Sequence, residues 1–378
     1  LRAITATLSP LLTDEFNLLA GDLGLLAGGY FLGFASMQIP LGYLLDRHGP
    51  KKIVSSFLLI AIIGTTAFAL AQSFAGLIIS RILIGVGVSA CLMGPLTGYR
   101  IWFADEYQQR GNSWMLMIAS SGFVFSTLPV QILLPIFGWR WIFGGISILI
   151  FIVIILTLLF IPPWKKEIDN NDQKNSGLLS DIWKNKFFRS TIPLGLFNYG
   201  GIMAVQTLWA GPWMVRVSGH DPLESATGLF WINVTMLIAF FVWGYILPKI
   251  NKLGMDTMKL LKFGLPISYL SLFVIIISGE NVGAIHFIIY ILTSIVLSLT
   301  QPAVAMHFPT SLAGKSLTSF NLLIFLGTFI MQWGIGLIID LSKYLGKGET
   351  QSFQISFAVY LIICILSYSY FILKNKNE

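Results

Sequence analysis

The sequence predicts an all-α polytopic membrane protein, about twelve spans in two six-helix halves. Of its 378 residues, 55% are hydrophobic and only 11% charged, whereas a soluble domain carries about 25% charged residues. A chain this apolar takes lipid as its solvent. Its length would allow two soluble domains, but apolar stretches of membrane length recur from end to end. Short polar turns separate them, and one long polar segment lies near the middle.

In chain order, α1 is expected to end near Ser9, with α2 at 22–44, α3 at 53–71 and α4 at 75–101. The fifth and sixth spans, α5 and α6, follow at 112–136 and 141–162; α7 and α8 are expected at 190–217 and 226–248. The last four are α9 at 260–278, α10 at 284–307, α11 at 316–339 and α12 at 353–373. The first span is short. Nine residues before Pro10 give about 14 Å of helix, against a bilayer core of about 30 Å. The chain also starts at Leu1 rather than Met, so a preceding segment is expected in the natural protein. No signal peptide is visible.

The polar segment from Pro162 to Arg189 contains Pro162-Pro163 and the run Asp169-Asn170-Asn171-Asp172-Gln173-Lys174-Asn175. It reads as a linker, with a short surface helix expected at Leu178 to Phe188. The predicted units are thus residues 1–162, a linker at 163–189 and residues 190–378. A weak repeat supports the division: Gly42-Tyr43-x-Leu45-Asp46-Arg47 is echoed by Gly244-Tyr245-x-Leu247-Pro248-Lys249. Each closes the second span of its half.

The net charge of +7 does not point to nucleic acid, because the charges sit in short loops. With the α2–α3 turn placed in the cytoplasm, eighteen Lys and Arg fall inside and four outside. That bias sets both termini in the cytoplasm. The short loops and the absence of a usable glycosylation site in the outer loops fit a bacterial inner membrane. (Asn233-Val234-Thr235 lies within a span.)

The α2–α3 turn reads Gly42-Tyr43-Leu44-Leu45-Asp46-Arg47-His48-Gly49-Pro50-Lys51-Lys52. It resembles G-x-L-x-D-R-x-G-x-K-K, a signature of the major facilitator superfamily of transporters, at every fixed position. In α4, Arg81-x-x-x-Gly85-x-Gly87 resembles a second motif of that superfamily. The resemblance implies two six-helix halves, alternating access and a small-molecule substrate held between the halves near the bilayer midplane. It also implies a cytoplasmic latch built from Asp46, Arg47 and the acids Asp105 and Glu106. Gly42 is expected to let helices approach, Gly49 to turn the chain, and Arg110 to belong with the gating residues. A monomer with no cofactor is expected.

Two arginines fall inside spans, where a charge is costly and marks function by default. Arg81 reads as structural or gating, with substrate contact as the alternative. Arg2 lies eight residues before Pro10, about 12 Å inward. It could be an ordinary cytoplasmic start. However, Pro10 to Phe16 looks like the outer end of α1, and the Arg-to-Pro register resembles the organophosphate:phosphate antiporters, whose α1 arginine binds an anion. A guanidinium offers a planar, permanent fork for carboxylate or phosphate. No matching basic residue lies deep in α7, so organophosphate itself is disfavoured.

Further lining candidates are polar. In α7, Tyr199, Gln206 and Trp209 are spaced i, i+7, i+10 and share one face of an α-helix; Asn198 adjoins them. Tyr30, Asn233, Gln301 and Asn321 are of the same type. All could equally hydrogen-bond between helices. No Cys/His cluster has metal-ligand spacing, no catalytic triad or nucleophile elbow is visible, and Cys91 and Cys364 lie in apolar spans, implying no disulfide framework. No Asp or Glu is expected mid-span, which leaves uniport, exchange, or proton symport through His or the substrate. The reading is a secondary transporter, not an enzyme, for a small organic anion. Zwitterionic short peptides or amphipathic compounds are the first alternative, and a non-transporting membrane sensor the second.

Overall fold

The computed structural model describes residues 1–162 and 179–375. Within that range, nothing is described of the side chains of Arg100, Ile101, Asp105, Glu106, Gln109, Arg110, Asn112, Ser113, Leu116, Pro248, Asn251, Thr310 and Ser311. Among the described residues every regular element is helical. Eight helices are long and apolar enough to cross a bilayer, or nine with the bent α2 taken as one.

The helices follow the predicted order, with shifted ends. The first, α1, is Ile4–Phe16 and continues through Pro10 to Asn17, whose φ of 50° ends it. Its expected stop near Ser9 is therefore corrected. Membrane helices tolerate an interior proline when neighbours re-satisfy the freed backbone. The second, α2, consists of Ala20–Ser36 and Gln38–His48, bent by 45°. Gly49 ends it with φ 76° and donates its N–H to the Leu45 carbonyl at 2.9 Å. Pro50 then opens α3, Pro50–Leu70, where a missing N–H costs nothing.

Ser73 caps α4, which comprises Phe74–Val88 and Ala90–Trp102. Its hydroxyl accepts the Gly76 N–H at 3.2 Å. The fifth span starts at Asp105 and runs to Phe125, then resumes at Leu128. Gly138, with φ 73° and ψ 158°, separates it from α6, which runs to Phe160. A short helix, Leu179–Lys184, precedes α7. It is shorter than the surface helix expected from the sequence, because Asn185 stops it and caps the next helix through the Phe188 N–H at 3.0 Å.

The seventh span, 186–216, contains two π-turns, Leu194–Tyr199 and Val205–Trp209. The remaining spans are α8 Pro222–Lys252, α9 Thr257–Ser278, α10 Ala284–His307, α11 Thr310–Tyr344 and α12 Glu349–Lys374. Their ends exceed the predicted ones because polar first and last turns extend a helix past its apolar core without changing its type.

Two faces can be distinguished by their turns. The basic face carries the α2–α3 turn and the opposite face the α1–α2 turn. Packing differs sharply between them. Towards the opposite face, one apolar cluster joins Ala6, Ala20, Leu23 and Ala27 of the first six spans to Trp209, Ile335 and Ile339 of the last six. Towards the basic face the clusters are separate. Leu41, Leu45, Ile53, Phe57 and Ala90 form one within the first six spans. Ile182, Phe188, Val304, Phe308 and Phe320 form another within the last six.

Candidate functional site

Arg2 sits just before the first turn of α1. Its guanidinium carbon lies 5.9 Å from the ring centre of Phe34 and 5.5 Å from those of Phe123 and Phe325. These rings come from α2, α5 and α11, so the cation stands at the junction of the two sets of six spans. Cation–π contact supplies about 0.5–2 kcal/mol per ring. It leaves the guanidinium without an acid partner, since among the described residues no salt bridge involves Arg2. The Tyr199 phenol is within electrostatic reach of it.

Arg81 is placed differently. It is fully buried, and Nη1 donates to the Leu1 carbonyl at 3.0 Å and Nε to the Leu26 carbonyl at 3.4 Å. Its guanidinium lies over the Tyr30 ring at 5.3 Å, while Nη2 has no partner. Arg81 thus ties α4 to α1 and α2. Gly85 makes this possible, because a Cβ there would collide with the Tyr30 carbonyl.

The π-turns of α7 divide its polar residues. A π-turn carries an extra residue and shifts the helix phase, so the single face expected from α-helical spacing is broken. Tyr199 and Gln206 line a small cleft with α8 and α10 residues, about 40 Å³. Gln206 donates to the Asn233 side-chain oxygen at 3.0 Å and to the Met236 sulfur at 2.8 Å. Trp209 points elsewhere. It is fully buried, and its indole N–H donates to the Gln332 carbonyl of α11 at 3.1 Å. Asn198 also turns away from Arg2. It accepts from the Tyr269 hydroxyl at 2.7 Å and donates to the Cys364 carbonyl at 3.3 Å. Asn321 accepts from Gln301 at 2.8 Å, one helical turn from Phe325.

At the basic turn, the Arg47 guanidinium donates to the Tyr43 hydroxyl at 3.0 Å. Gly42 has no neighbour within 4 Å of where a Cβ would lie. The close approach expected there is absent, because the bend in α2 leaves this segment exposed, as Tyr43 at 63% shows. Asp46 is exposed and has a partner. The side chains of Asp105, Glu106 and Arg110 lie outside the described residues.

Sequence reasoning missed Asp340. Its two carboxylate oxygens accept the backbone N–H groups of Ala20 and Gly21 at 3.0 and 2.6 Å. A residue of α11 therefore caps the N-terminus of α2, where a negative charge is favoured. Beside it, Gly24 packs on the Gln332 carbonyl so closely that a Cβ would overlap it. Arg216 of α7 adds a bond to the Thr13 hydroxyl at 3.1 Å. The signal was present as an acid near the end of a span facing a glycine-rich helix start.

Many helices, two sets of six, a sealed face and a polar–aromatic junction between the sets define a multi-pass membrane protein of the transporter class. The family model described as Major Facilitator Superfamily matches residues 1–332, and the chain belongs to that superfamily. The probable sulfoacetate transporter SauU of Cupriavidus necator is 23% identical over 81% of this chain and 75% of its own. The uncharacterized transporter YybO of Bacillus subtilis is 23% identical over 68% of this chain and 63% of its own. A probable L-galactonate transporter of Escherichia coli is 25% identical over 36% of this chain and 30% of its own. Among solved structures, a bacterial homolog of the human lysosomal transporter Spinster, in an inward-facing, unoccupied conformation, superposes with a TM-score of 0.78 at 15% identity. It covers 99% of this chain and 93% of that one. A D-xylose–proton symporter superposes at 0.75, with 14% identity, over 98% of this chain and 93% of its own.

Proposed function

We propose that this protein is a secondary transporter that moves a small organic anion by alternating access, with Arg2 as the anion-binding residue. The observation that carries this is the guanidinium among Phe34, Phe123 and Phe325, where rings of both halves meet and where no acid pairs with it among the described residues. An uncompensated cation inside a membrane protein costs several kcal/mol, and an incoming anion offsets part of that. Relatives described as sulfoacetate and L-galactonate transporters carry organic anions in their names, which supports the same class. Tyr199, Gln206, Asn233 and Asn321 border the path between halves; Tyr30, Asn198 and Trp209 hold helices in place, and Arg81 with Gly85 fixes α4 on α2. Asp46, Arg47, Gly42 and Gly49, with Asp105 and Arg110, form the gating set on the basic face. That face is cytoplasmic in a bacterial inner membrane, with both termini inside, and the monomer is the working unit.

The test is ligand-induced thermal stabilisation of the purified protein by carboxylates and sulfonates, in wild type and variants. Arg2→Lys keeps the charge but loses the fork, so stabilisation should weaken. Arg2→Ala should abolish it while the fold persists. Equal stabilisation in wild type and Arg2→Ala would overturn the assignment.

A further inference from the structure

The joint between α2 and α11 is a row of contacts that leads from the opposite face to the candidate site. Asp340 holds the start of α2, Gly336 packs on Ala20, Gln332 on Gly24 and Phe329 on Gly28. Successive members are three or four residues apart on α11, so they share one face of that helix. Phe325 is next in the row. Its ring centre lies 4.4 Å from that of Phe34 and 6.3 Å from that of Phe31. Among the described residues it is the only buried side chain of the last six spans in the apolar cluster of the first six.

Arg2 stands at this end of the row, with its guanidinium carbon 5.5 Å from the Phe325 ring centre. Of the three rings around that cation, Phe34 and Phe123 belong to the first six spans, and Phe325 alone to the last six. Its share of the attraction therefore acts across the joint. The attraction comes from the positive charge near the ring quadrupole. An anion paired with the guanidinium lowers that charge and loosens the hold on Phe325.

We propose that Phe325 is a positioning residue that couples anion binding at Arg2 to opening of the opposite face. This rests on the anion reading above. While the site is empty, the ring ties Arg2 to α11 and favours the joined arrangement. Opening draws the α11 row off α2, and Arg2 then loses Phe325 but keeps Phe34 and Phe123. An anion meets no competition from Phe325 in that arrangement, so it binds the separated form more tightly than the joined one. A ligand shifts a conformational equilibrium by this difference in affinity and by nothing else.

The test compares wild type and Phe325→Leu with protein carrying mono-, di- or trifluorinated phenylalanine at position 325. Fluorination weakens the ring quadrupole while nearly keeping its shape, so this series decides the matter even where Phe325→Leu does not fold. The probe anions are acetate, sulfoacetate and L-galactonate. Their affinity, read by thermal stabilisation, should rise stepwise with fluorination. In Phe325→Leu it should be higher by about twofold to fivefold, the ratio for a cation–π contact of about 0.5–1 kcal/mol. Spin labels at Leu19 and Tyr344, both exposed on the opposite face, report the reciprocal effect. In wild type the anion should enlarge the separated population. In Phe325→Leu that population should already be larger without anion and grow less when anion is added. Flat or falling affinity across the fluorinated series would overturn the proposal, because a ring that only packs or only steadies Arg2 gives that result. An anion-induced shift as large in Phe325→Leu as in wild type would overturn it too. Both outcomes leave the anion reading intact, provided Arg2→Ala still abolishes binding. If none of the three anions stabilises wild type, or Arg2→Ala is stabilised equally, the anion reading itself fails and this proposal with it.

Discussion

The two faces of the molecule are held by different means. On the opposite face the halves meet backbone to backbone. Gly24 packs on the Gln332 carbonyl, Ala20 on Gly336, and the Asp340 carboxylate takes two N–H groups of α2. On the basic face the halves keep separate apolar clusters, and Gly42 has open space around it. The difference teaches that closure here depends on surfaces that can touch without side chains between them. Such contacts form all at once or not at all, because packed backbones leave no intermediate spacing. A membrane protein gains little from burying apolar groups that lipid already solvates, so close van der Waals packing and interhelical hydrogen bonds carry the association.

The comparison can be broken most severely at Gly24. Gly24→Val puts side-chain atoms where the Gln332 carbonyl stands, and overpacking of this kind costs about 1–3 kcal/mol or more. Spin labels at Leu19 and Tyr344, both exposed on that face, should move apart, with the distance distribution as the readout. An unchanged distribution would mean that α2 and α11 absorb the extra volume without separating.

Asp340→Asn should have the next largest effect. It keeps one acceptor and loses the charge, at a cost of about 1–2 kcal/mol for a charge-assisted bond to a helix start. The same labels should show a minor, separated population growing by about tenfold. If only Asp340→Ala and not Asp340→Asn has this effect, the carboxylate acts through geometry and not charge.

Asp46→Asn should act in the opposite sense and most weakly in this conformation. The halves keep separate apolar clusters on the basic face, so weakening the proposed latch there should leave the joined face untouched and slow the proposed return to the other state. A cysteine at Tyr43 should become no less accessible to a water-soluble thiol reagent, and uptake should fall. Unaltered uptake would remove Asp46 from the gating set.

How far the sequence reached varies with the kind of force involved. Helix order and type were legible because lipid demands long apolar stretches, and the α2–α3 turn because Gly49-Pro50 fixes its own backbone. The end of α1 was not, since Pro10 in water would stop a helix but in a packed bundle does not. At the candidate site, Arg2 could be singled out because an intramembrane charge is rare. The face of α7 could not be read. Its side chains follow two π-turns, and nothing in Leu194-Gly195-Leu196-Phe197-Asn198-Tyr199 announces a change of helical pitch. Asp340 escaped notice because its role depends on a partner some 320 residues away in the chain, which no local pattern encodes.

Those π-turns have a consequence for how the protein can change over evolutionary time. Each adds a partial rotation to everything beyond it, so the helix behaves as three separately indexed dials on one axle. The first turn holds both Asn198 and Tyr199 and the second both Gln206 and Trp209, so each presents one side chain to the cleft and another to α9, α12 or α11. Loss of one residue from either turn would rotate everything beyond it against everything before it. A single-codon deletion could then change what faces the cleft only together with the joints beyond the turn, such as the Trp209 and Arg216 bonds.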